Sequence, residues 1–96
     1  MSYLTHEQWE FVLTYIEEWR RAGGHRRSRV SDRAVIEALM WLDANRASSW
    51  RDLPQIHPNW RTVKRRARQW QRDSVMDEIR ACLAGFGIGI WPRSHS

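Results

Sequence analysis

The stretch Trp60-Arg61-Thr62-Val63-Lys64-Arg65-Arg66-Ala67-Arg68-Gln69-Trp70-Gln71-Arg72 decides how this chain is read. Trp60, Val63, Ala67 and Trp70 recur at helical spacing and form one apolar face. Arg61, Arg65, Arg68 and Arg72 fall nearly opposite, with Lys64 and Arg66 toward the two flanks. The segment holds six basic residues and no acidic one. Surface helices ordinarily mix signs, because opposite charges at i,i+4 stabilise and like charges repel. A helix that stacks like charges calls for an anionic partner. The competing explanation is a solvated basic face on a structural helix.

The residues before this helix supply a frame for it. Over 48–59 the pattern predicts a short helix and a turn. Ser49 can cap, Trp50-Arg51-Asp52-Leu53 can make one turn, and Pro54 disfavours helix at Leu53. Pro58-Asn59 punctuates again, with Asn59 as the next cap. Short helix, turn and longer basic helix outline a helix-turn-helix at about 49–72. In that motif the second helix enters the major groove and its N-terminal residues meet the bases. Arg61, Thr62 and Arg65 are therefore the candidates for base readout. Arg66, Arg68 and Arg72 are candidates for phosphate contact, and Lys64 and Arg51 complete the set.

Further toward the N-terminus, Thr5 and Gln8 have capping-box spacing. Trp9, Val12, Leu13, Ile16 and Trp19 then make an apolar stripe, which Gly23-Gly24 ends. Residues 23–30 form a basic loop. Its His25, Arg26, Arg27 and Arg29 are candidates for a minor-groove or phosphate-contacting arm, or else belong to a flexible solvated linker. Ser31 is the predicted cap of a helix over about 32–44, with Val35, Leu39 and Leu42 inward, Ile36 and Met40 beside them, and a stop near Asn45.

On the C-terminal side, Ser74 is the predicted cap of a last helix, with Asp77 at capping-box spacing. Val75, Ile79, Cys82 and Leu83 are its predicted buried face, and Gly85 its end. The tail Gly85-Phe86-Gly87-Ile88-Gly89-Ile90-Trp91 is too Gly-rich for a lone strand and too apolar for a solvated tail. It is expected to dock on this chain or on a partner, and 75–91 is the candidate dimer surface. The predicted organisation is one domain over 1–84 followed by the 85–96 docking segment.

Composition narrows the function classes. At 96 residues and 42% apolar, one modest core is expected, and a two-domain enzyme with a large cleft is excluded. The formal charge is +5, and Lys64 is the only Lys beside 15 Arg. Arg forks suit phosphate, although a GC-rich genome would also favour Arg. Of seven Trp, those at 9, 41, 60 and 70 lie on apolar stripes and Trp19 extends one, so core packing is their expected role. Trp50 and Trp91 are less determined. The lone Cys82 and the four His lack metal-ligand spacing, so no metal or cofactor is expected. No apolar run approaches the roughly 18 residues of a membrane span, and no secretory signal is present, which predicts a cytoplasmic protein.

Several of these residues resemble the N-terminal DNA-binding domain of bacterial insertion-sequence transposases. The matching pieces are Leu4-Thr5 with Glu7-Gln8-Trp9, and Asp32-Arg33 with Val35 and Ile36. They continue with Trp50-Arg51-Asp52-Leu53-Pro54, and then Trp60, Thr62, Val63, Arg66, Trp70 and Asp73. The resemblance covers about 4–84. It departs at Ser28, where the family often carries Pro, and at Asn45-Arg46-Ala47-Ser48-Ser49, where the family often holds a Gly. Family catalysis uses an Asp-Asp-Glu metal site in a following domain that this sequence does not contain. The resemblance thus implies DNA binding without transposase chemistry.

The sequence reading is an all-α bundle of four to five helices with a helix-turn-helix. It would be a non-enzymatic, sequence-preferring binder of double-stranded DNA, acting as a standalone regulator of transcription or as the DNA-binding part of a split transposase in DNA recombination. A homodimer and a separate catalytic transposase subunit are the candidate protein partners, and no membrane is expected. The alternative is an adaptor or inhibitor that docks an acidic protein through the basic face.

Overall fold

The capping signals translate directly into helix limits. In the computed structural model, which describes residues 4–23 and 29–91, Thr5 caps α1 (His6–Arg21) with the reciprocal Gln8 bond in place. Ser31 caps α2 (Asp32–Ala44), and Asn59 caps α3 (Trp60–Arg72) through the Arg61 amide. The last helix, α4, runs Val75–Ala84. Between α2 and α3 the chain makes one 3-10 turn, Trp50–Asp52, capped by Ser49. The expected all-α fold is present.

The helix-turn-helix expected over 49–72 has a regular second helix but a first element of a single turn. Pro54 is the reason. It holds Leu53 in an extended conformation (ψ 125°) and stops further winding. The regular helix packed on α3 from the N-terminal side is α2, and α4 packs on it from the C-terminal side. α1 lies along α4.

One core joins all four helices. Val12, Ile16 and Trp19 enter from α1, and Val35, Ile36, Leu39 and Leu42 from α2. Val63, Ala67 and Trp70 enter from α3, and Val75, Met76, Ile79 and Leu83 from α4. Trp70 is fully buried and meets Trp19 edge-on, with ring centroids 6.3 Å apart. Cys82, expected in the buried face of α4, sits half-buried at its margin, and burial pushes its thiol pKa up. Met76 completes that face instead.

Three chain turns correct or sharpen the expectations. Ser74 does not cap α4. It takes a left-handed conformation (φ 67°), and its side chain makes no cap bond, because the two-residue link from α3 must reverse the chain there. Gly85 ends α4 as expected, but it stands at the C-cap in a right-handed conformation, φ −62°. Gly87 (φ 75°) is the left-handed residue, and the Ile88 amide donates back to the Leu83 carbonyl at 3.0 Å. At the end of α2, Arg46 is left-handed (φ 51°), with the Ala47 amide on the Leu42 carbonyl and the Arg46 amide on the Asp43 carbonyl. This is a Schellman ending with Arg in the seat that glycine ordinarily takes. It lies within the stretch where the resembling family often has Gly.

The described part of the tail docks on its own chain. Ile90 is buried, the Trp91 amide donates to the Leu39 carbonyl at 3.1 Å, and Trp91 packs edge-on against Trp50 at 4.5 Å. A Cβ on Gly89 would lie 2.5 Å from an Asp43 carboxylate oxygen, so the tail approaches α2 closely there.

Candidate nucleic-acid interface

α3 is held from both sides, and that fixes which of its cations face out. Val63, Ala67 and Trp70 are wholly buried, whereas Arg61, Arg65, Arg68 and Arg72 are exposed. Lys64 and Thr62 are half-buried, and Arg51 on the 3-10 turn is exposed. A shallow open groove runs along this face, bordered by Trp60, Arg61, Lys64, Arg65, Arg68, Gln69 and Arg72. No carboxylate lines it. At its C-terminal end, Asp73 Oδ1 lies 4.0 Å from Arg72 Nε, while the other Asp73 oxygen accepts from Trp19 Nε1 at 2.8 Å.

Arg66 is the correction to the candidate set. It is 8% exposed, and its Nη1 donates to Asp32 Oδ1 at 2.7 Å and to the Val30 carbonyl at 3.1 Å. Arg20 Nη2 donates to both Asp32 oxygens, at 2.9 and 2.7 Å. One carboxylate at the start of α2 therefore ties α1 to α3. The physical reason lies in the helical wheel. Arg66 stands three residues after Val63 and four before Trp70, so its flank turns toward α2 rather than toward solvent. Its guanidinium serves to orient α3 and is not available to a phosphate.

Of the basic loop, His25, Arg26 and Arg27 lie outside the described residues. Arg29 is exposed and borders a cavity between α1 and the start of α2, together with Trp9, Arg20 and Asp32. Two features escaped the sequence reading. The Asp32 clamp joins residues far apart in the chain, and no local signal marks it. Trp60 has Arg51, Arg61 and Lys64 around its ring, with guanidinium carbons at 5.4 and 5.2 Å and the ammonium at 6.0 Å from the centroid. The Trp60–Lys64 spacing hinted at one of these contacts, and the turn brings in Arg51. Among the described residues no group of three or more His, Cys, Asp or Glu could hold a metal ion. No helix of the described residues is long and apolar enough to cross a membrane.

Comparison with known proteins places this small helical chain in a class of mobile-element proteins. Residues 4–80 match the family described as "Putative transposase of IS4/5 family", and the chain belongs to that family. It is also 36% identical over 81 residues to a protein of Sinorhizobium fredii (strain NBRC 101917 / NGR234) called "Uncharacterized protein y4sN". The match covers 84% of this chain and 62% of that relative, so the chain spans less than two thirds of the relative's length. No solved structure matches it.

Proposed function

We propose that this chain is a duplex-DNA-binding module of its transposase family, with α3 as the element laid on the DNA. The observation that carries the reading is the exposed row Arg61, Arg65, Arg68 and Arg72 on a helix whose opposite side is locked into the core. Such a face presents fixed forks to phosphates, Arg61 among them, and at its N-terminal end Thr62 and Arg65 to base edges. Arg51, Lys64 and Arg29 add charge at the margins. The module would serve as a standalone regulator or as the DNA-binding part of a split transposase whose catalytic site lies on another subunit. Chemistry on DNA is not assigned to it. Dimeric binding belongs to the same reading, because one helix reads few base pairs. Of segment 75–91, Phe86 stays exposed beside Phe11, with ring centroids 5.7 Å apart, as the apolar pair left for a second copy.

The test is duplex binding by the variants Arg65→Ala and Arg68→Ala. Each is expected to weaken binding by about tenfold, the scale of a charge-assisted hydrogen bond, with helicity and melting temperature unchanged. Parental affinity in both variants overturns the assignment of α3. A protein partner retained after nuclease treatment, with no duplex shift by the parent, replaces the DNA reading with the adaptor one.

A further inference from the structure

We propose that Trp60 is a positioning residue that assembles Arg51, Arg61 and Lys64 into a clamp for one backbone phosphate of duplex DNA, an inference that rests on the DNA reading above. The three cations come from two elements, the 3-10 turn and the first turns of α3, yet all lie within 6.0 Å of one ring centroid. None of them forms an ion pair with a carboxylate among the described residues. Three like charges gathered around one half-buried ring repel, and the attraction of each to that ring is modest. An anion seated between them relieves that repulsion. A phosphate diester fits, because its oxygens accept several donors at once and the Arg forks match them. Base stacking on Trp60 is disfavoured, because the cations already occupy the approach to its ring. The ring also restricts the side-chain freedom of all three before binding, so less is lost when the phosphate arrives.

This assigns Arg51 a role that the turn alone does not explain. Its own carboxylate neighbour, Asp52, is engaged with Ser48 and Ser49 at 2.9–3.2 Å, and those bonds hold the Asp52 pKa low. Arg51 is thereby left to the Trp60 ring.

The test measures the salt dependence of duplex affinity for Arg51→Ala in two backgrounds, the parent and Trp60→Leu, with Trp60→Phe as the ring-retaining control. In the parent background Arg51→Ala is expected to reduce the slope of log K against log salt by about 1. In the Trp60→Leu background the same change should have little further effect, and Trp60→Phe should restore it. An equal loss from Arg51→Ala in both backgrounds overturns the proposal. Where Trp60→Leu does not fold, a methylphosphonate scan decides, using a short duplex enriched from random sequence. Neutralising one and the same phosphate should erase the difference between the parent and both Arg51→Ala and Lys64→Ala. Sensitivity at different phosphates defeats the clamp while leaving duplex binding intact. Absence of duplex binding by the parent defeats the DNA reading itself.

Discussion

Asp32 accepts hydrogen bonds from two guanidinium groups on two different helices, and its side chain is only 12% exposed. Such an arrangement costs desolvation, and its worth shows when one member is removed, because the others remain buried without their counter-charge. Asp32→Ala is expected to lower unfolding free energy by about 3 kcal/mol, read by urea denaturation. A loss below about 1 kcal/mol would place the pair in the weak class of exposed ion pairs. Arg46 carries the opposite prediction. A side chain in the left-handed region costs about 1–2 kcal/mol, and part of that returns as unfolded-chain entropy when Gly replaces it. Arg46→Gly should therefore raise stability by about 0.5–1 kcal/mol, read as a higher melting temperature. No gain would mean that the Arg46 side chain makes a compensating contact. At this scale the sequence was legible for the caps: Thr5, Ser31, Ser49 and Asn59 each bond an amide two or three residues on, and such bonds need only local chain. Ser74 looked the same and is not a cap, because a two-residue link between packed helices overrides the local preference.

Among the elements, α3 owes its orientation to three neighbours, and its exposed row of arginines is a consequence of what they cover. The helical wheel placed Arg61, Arg65, Arg68 and Arg72 correctly, because they stand far from the apolar sector. It could not place Arg66, whose flank is exposed or buried according to whether another helix arrives there. The tail is the second element whose fate depended on tertiary contacts. Its alternation of Gly and large apolar residues pointed to docking without naming the dock, and the site turned out to be α2 and the 3-10 turn. Ile90 is 2% exposed, so Ile90→Ala should cost about 3 kcal/mol. Thermal or urea unfolding monitored by tryptophan fluorescence would read it. A cost near zero would show that 85–91 is not part of the folded unit.

At the level of the whole molecule, the radius of gyration of 12.4 Å agrees with the value of about 12.5 Å expected for a compact chain of this length. Charge is segregated within that volume. Glu7, Glu10, Glu17, Glu18, Asp77 and Glu78 are exposed on the packed pair α1 and α4, while the acid-free groove lies on α3. A field of this kind turns a polyanion toward one side of the protein during encounter. With four to six phosphates neutralised, log K should fall with log salt at a slope of about −4 to −5. A salt titration by fluorescence anisotropy checks this, and a flat response would remove electrostatics from the interface. The sequence alone determined the helical class, the limits of α1, α2 and α3, the side of α3 that is apolar, and the sign of its other side. Those follow from hydrogen bonds and periodicities that close within a few residues. The tertiary structure alone decided that Arg66 serves the core, that Trp50 meets Trp91, and that Arg51 joins Arg61 and Lys64 at Trp60. Each of those depends on groups that only the packing of distant elements brings within a few ångströms.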